Sequence, residues 1–93
     1  MAIRAAVLVD SRVRSVDLVG SRASGTATEL SYWDYRIASA DPAAIAARLP
    51  GLVAVLCPLG QLWDPLARMP VYVIISPGAV KADLFPAHRP ALA

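Results

Sequence analysis

Few side chains in this 93-residue sequence can do chemistry, and their order along the chain is informative. Gly20-Ser21 follows a β-branched run, and ten residues after Ser21 comes the triplet Tyr32-Trp33-Asp34. A Gly-Ser pair between a strand and a helical turn aims backbone N–H groups and a hydroxyl at whatever lies beyond, which suits a phosphate. Such a pair is by itself most often an ordinary turn. Asp34 and a later aspartate, Asp83, each alternate with apolar neighbours, so two strands present carboxylates on one face. Carboxylates are the donors a hard cation such as Mg²⁺ requires. Cys57 is the only cysteine and His88 the only histidine, which excludes an internal disulfide and argues against Cys/His zinc, a Cys–His pair or a Ser-His-Asp triad. In this reading Cys57 is an inert buried thiol and His88 a solvated side chain in the tail.

The elements that must position these residues follow from periodicity and breakers. Residues 2–9 place Ile3, Ala6 and Val7 at helical spacing, and 13–19 (VRSVDLV) reads as a strand ending at Gly20-Ser21. A helical turn follows. In 32–38 (YWDYRIA) a period of two puts Trp33, Tyr35 and Ile37 on a core face and Tyr32, Asp34 and Arg36 on the other. Asp41-Pro42 caps a helix that should stop at Pro50-Gly51. The apolar runs 52–57 (LVAVLC) and 71–76 (VYVIIS) read as strands covered on both faces, with a turn or short helix between them in which Trp63-Asp64 anchors and caps. Pro77-Gly78 turns the chain into a last strand, 79–85, making a hairpin with 71–76. Lys81 shares the face of Asp83. These readings predict an α/β (α+β) domain: a mixed five-stranded sheet of 13–19, 32–38, 52–57, 71–76 and 79–85, with helices mainly on one face and the Asp34 and Asp83 face open.

The stretch 18–37, LVGSRASGTATELSYWDYRI, resembles the polymerase-β-like nucleotidyltransferases, whose signature is Gly-Ser, ten residues, then Asp-x-Asp, with a third carboxylate on a later strand. It looks most like the aminoglycoside-adenylyltransferase-type branch, and the likeness extends through Trp63-Asp64 and the segment Val80-Lys81-Ala82-Asp83-Leu84. The resemblance covers residues 10–86, leaving 87–93 as a tail, and implies a minimal single domain without the C-terminal helical domain of that branch. It implies transfer of a nucleotidyl (AMP) group from ATP to a small-molecule hydroxyl acceptor. Gly20, Ser21 and Arg22 would bind the nucleotide; Asp34 and Asp83 would be metal ligands and catalytic carboxylates. The first aspartate of Asp-x-Asp is Tyr32 here. A phenol is neutral at pH 7 and a poor Mg²⁺ ligand, so Mg²⁺ binding is expected to be weak or lost and transfer impaired. The alternatives are a nucleotide-binding pseudoenzyme and an interaction module like the minimal nucleotidyltransferase antitoxins.

Composition bounds these readings. A hydrophobic fraction of 57% with 17% charged residues excludes a disordered chain, and no apolar run approaches the ~20 residues of a membrane helix. With no cleavable leader pattern at the N-terminus, a cytoplasmic protein is expected. The formal charge of +2 is small and the arginines dispersed, so nucleic acid is an unlikely partner on charge. So apolar a chain, lacking a covering domain, is expected to form a homodimer or to engage a partner domain.

Overall fold

A computed structural model describes residues 3–28, 32–77 and 80–88. Helix α1 (Ile3–Leu8) leads into strand β1 (Val13–Val19), the short helix α2 (Gly20–Ser24), β2 (Trp33–Ser39) and helix α3 (Pro42–Val53). A 3₁₀ turn (Ala54–Leu56) follows, then β3 (Gly60–Trp63), β4 (Tyr72–Ser76) and β5 (Val80–His88). The five strands form one mixed sheet in the order β1-β2-β5-β4-β3. Its single parallel pair, β2 with β5, lies in the middle, and the other three ladders are antiparallel.

Alternation decides which face is buried. Val16, Tyr35, Ile37, Ala82, Leu84, Tyr72 and Ile74 project to one side and pack against Ile3 and Val7 of α1 and Ile45, Leu49 and Val53 of α3. Trp33 is half-buried against the same cluster. The expected arrangement of helices on one face of a mixed sheet is therefore present. Buried Asp10 ties the helical layer together: it accepts from the Arg12 N–H at 2.9 Å and pairs with Arg48 of α3. These contacts hold its carboxyl below the ordinary range, the Arg12 hydrogen bond first.

The expected third strand, 52–57, does not form. Leu52 and Val53 are the last residues of α3, and the expected stop at Pro50-Gly51 lies inside that helix. Ile45, Leu49 and Val53, spaced by four, are all fully buried. Burying three such side chains is worth roughly 1.5–3 kcal/mol each, more together than the ~3 kcal/mol an internal proline costs. A continuous apolar run fits a buried helix as well as a buried strand, and here the helical spacing wins. Asp41 does cap this helix, its Oδ1 accepting from the Ala44 N–H at 3.1 Å. Cys57 is exposed, not buried, and takes a left-handed conformation (φ 50°) at the end of the 3₁₀ turn.

The fifth strand is instead β3, from the segment expected to be a turn or short helix. It is an edge strand with Leu62 and Trp63 partly exposed, and it carries no alternation signal. Trp63 does anchor, its ring centroid 4.9 Å from that of Tyr72. Asp64 caps no helix; its Oδ1 accepts from the Leu66 N–H at 2.9 Å in a turn. The hairpin of β4 and β5 is present, with Ser76 opposite Val80, whereas Gly78 and Ala79 of its turn lie outside the described residues. β5 runs to His88, so residues 87 and 88 of the expected tail are strand. Pro86 is tolerated because β4 pairs with β5 only as far as Leu84; beyond it only β2 lies alongside, and the missing N–H can face the unpaired side. Residues 89–93 lie outside the described set.

Candidate functional site

On the face opposite the helices, register assembles the site. Val19, Asp34, Asp83, Val73 and Leu62 are successive partners across all five strands and so share that face. The two expected carboxylates are thus direct neighbours, Asp34 of β2 against Asp83 of β5, on strands roughly 4.8 Å apart. Both are half-buried. Burial raises the pKa of Asp34. Burial also raises Asp83; the Lys81 ammonium opposes that shift, and the charges of Asp34 and Asp64 add to it. Oδ1 of Asp83 is buried without a hydrogen-bond partner.

Gly20 borders the pair. It has φ +74°, and a Cβ built there would lie 2.5 Å from Oδ2 of Asp34. Only glycine combines that backbone with so close an approach. β1 ends at Val19, opposite Asp34, so the Gly20-Ser21 turn rises directly beside the carboxylate. Ser21 holds α2 together through its carbonyl, which accepts from the Ser24 hydroxyl at 3.1 Å and the Thr26 N–H at 3.0 Å. Arg22 is engaged elsewhere: its guanidinium carbon lies 4.2 Å from the centroid of Trp33, whose side chain belongs to the core face. The same guanidinium partly offsets the rise that burial imposes on the Tyr35 hydroxyl. Of the expected site residues, the structure brings together Gly20, Asp34 and Asp83, with Ser21 next to Gly20 in the chain, while Arg22 packs on the neighbouring ring.

Sequence reasoning underweighted two residues. Asp64, two positions beyond Leu62 on the same face, is near enough for its charge to reach Asp83. Lys81 places its Nζ 3.9 Å from the centroid of the Tyr32 ring. A signal for Lys81 was available, since positions 81 and 83 share a face on any strand.

The donor set differs from the two-ion arrangement that the resemblance implies. Among the described residues no three His, Cys, Asp or Glu side chains gather to hold a metal ion. The paired carboxylates and the orphaned Asp83 oxygen fit one divalent ion whose remaining ligands come from water or phosphate. They do not fit two. Nor is any helix among the described residues long and apolar enough to cross a membrane.

No protein-family model matches the chain, and no curated protein is significantly similar to it in sequence. Solved structures do match. The polymerase core of TRAMP, an RNA surveillance complex, superposes with a TM-score of 0.72 at 14% identity, over 98% of this chain and 30% of that one. A cytoplasmic RNA terminal U-transferase gives 0.70 at 19% identity, over 90% of this chain and 25% of that one. The Cid1 poly(U) polymerase gives 0.65 at 14% identity, over 90% and 27%. The chain therefore spans under a third of these neighbours. They do not bear on the aminoglycoside-adenylyltransferase branch, and they give no support to setting nucleic acid aside. The chain therefore shares its fold, a mixed five-stranded sheet with helices on one face, with a segment of each of these neighbours.

Proposed function

We propose that this chain is a nucleotide-binding domain of nucleotidyltransferase fold in which transfer of a nucleotidyl group to a hydroxyl is impaired. The observation that carries the reading is the in-register pair Asp34 and Asp83 with Gly20 against the Asp34 carboxylate. Asp34 and Asp83 would hold one Mg²⁺ weakly, and Gly20 and Ser21 would contact the phosphates of a nucleoside triphosphate. A bound divalent ion would neutralise phosphate charge and favour attack at phosphorus. Tyr32 stands where the family pattern has its first aspartate, and its exposed ring offers no anionic ligand. The pair is on the open face, where an acceptor could approach from solvent. The partner expected from composition, a second copy or a covering domain, would find apolar surface there at Leu62 and Ile75, which are 55% and 39% exposed.

Two classes of acceptor fit this reading. The sequence resemblance favours a small-molecule hydroxyl and ATP; the neighbours, two of them uridine-adding RNA enzymes, favour an RNA terminus and UTP. Calorimetric titration of ATP and UTP, with and without Mg²⁺, tests the reading on the parent, Ser21→Ala, Asp34→Asn and Tyr32→Asp. Weak binding strengthened by Mg²⁺ is expected in the parent, with Ser21→Ala and Asp34→Asn weaker and Tyr32→Asp tighter. If Tyr32→Asp binds no better and Asp34→Asn no worse, the site is not on this face. Adding a short RNA or an aminoglycoside then separates the acceptors.

A further inference from the structure

Tyr32 does more than remove a ligand, because its ring carries a cation. Extending the β2–β5 register by one residue sets Tyr32 beside Lys81, in the row next to that of Asp34 and Asp83 and on the same face. There the Lys81 Nζ lies 3.9 Å from the ring centroid, the geometry in which an aromatic face holds an ammonium. Its charge reaches Asp83, where it is the largest influence opposing burial. Electrostatics makes this more than a packing detail. A carboxylate together with a divalent ion sums to one positive charge; a neutral phenol together with an ammonium sums to the same. Tyr32 with Lys81 on its ring thus leaves that half of the site with one positive charge without a metal.

We propose that the Lys81 ammonium is a resident cation of the site, held by Tyr32 in place of the second metal ion, and that it contacts the phosphates of a bound nucleotide directly. This rests on the nucleotide-binding reading above and adds to it that part of the binding needs no divalent ion. Lysine suits the role: a compact point charge with three rotatable donors on a flexible stem can leave the ring face for a phosphate oxygen. Tyr32 is a positioning residue in this scheme, since it acts through the ammonium.

The test measures binding of ATP and of inorganic tripolyphosphate to the full chain in EDTA and in Mg²⁺, with thermal melts to verify folding. The parent should bind both in EDTA. Lys81→Met, which keeps the length of the stem, should weaken that binding about ten- to hundred-fold, the worth of one charged hydrogen bond. Lys81→Arg should retain most of it, and its retention answers the case in which Lys81→Met fails to fold. Tyr32→Phe should behave as the parent, and Tyr32→Leu should weaken metal-free binding while leaving the Mg²⁺-dependent part. Binding in EDTA that is unchanged in Lys81→Met overturns the proposal. Parent binding that appears only with Mg²⁺ overturns it too, while leaving the nucleotide-binding reading intact. Absence of binding in both conditions brings down both.

Discussion

Replacing Gly20 with alanine should cost the fold more than the same change at Gly25, and the difference isolates the contact with Asp34. Both glycines have positive φ, +74° and +80°. Each substitution therefore incurs the left-handed penalty of an L-residue, about 1–2 kcal/mol. Both also stiffen the unfolded chain alike, so that effect cancels between them. They differ in surroundings. A Cβ at Gly25 meets nothing within 4 Å, whereas at Gly20 it falls 2.5 Å from Oδ2 of Asp34, against 3.4 Å for ordinary contact. The carboxylate must give way by nearly an ångström, and forcing it off its rotamer costs a further ~0.5–1.5 kcal/mol. Gly20→Ala should thus lose roughly 2–3 kcal/mol, which for a domain this size lowers Tm by about 10–20 °C. Urea denaturation of Gly20→Ala, Gly25→Ala, Asp34→Ala and Gly20→Ala/Asp34→Ala provides the assay, because removing the carboxylate should abolish the excess. Equal losses at the two glycines, or an excess that survives in the double variant, would refute this account of the close approach.

Three further outcomes follow from the packing and the charges. Burial raises Asp34 and Asp83, so between the ordinary carboxylate value of 3.8 and their raised values the folded chain retains protons that the unfolded chain has released. Their contribution makes stability fall as pH rises through that window, and Asp83→Asn should flatten the fall and be the more stable protein at pH 7; a less stable variant with the slope unchanged would contradict the burial argument. Asp10 is shifted the other way, so its contribution is complete above 3.8 and disappears as pH drops through its lowered value; Asp10→Asn should lose stability at pH 7 in a denaturant titration. Leu49→Ala, at a fully buried position of α3, should cost about 2–5 kcal/mol by the same titration, and a loss under 1 kcal/mol would mean that α3 does not cover the sheet.

The parts of the site that could be read from the sequence are those encoded within a few residues. Gly20-Ser21 announces its turn locally, and the alternation around Asp34 and Asp83 fixes their faces whatever lies alongside. What alternation cannot supply is the neighbour: that Asp34 sits against Asp83, and that the two strands run parallel, depends on pairing across the whole chain. The 52–57 run misleads because apolar content without periodicity does not distinguish helix from strand, and burial of Leu49 and Val53 overrides the Pro50-Gly51 breaker. β3 was hidden for the opposite reason, since an exposed edge strand needs no apolar pattern. The Arg22 stack on Trp33 depends on a side-chain path that no spacing rule encodes.

The parallel ladder at the centre of the sheet has a consequence for how the molecule assembles. β1 pairs with β2, and β3, β4 and β5 pair in turn, so the chain consists of two locally paired halves. These halves meet through β2 and β5, whose facing aspartates are 49 positions apart, from 34 to 83. Closing so long a loop is the slow, entropically costly step of folding, whereas the flanking hairpins form early. Each half brings one aspartate to that seam, and both carry like charge when it closes. Acidification that protonates either one should therefore speed the docking of the halves. The same seam would make the proposed ligand recognition a late event: neither half alone holds the pair, so the affinity proposed for this site would first exist once the last ladder has zipped.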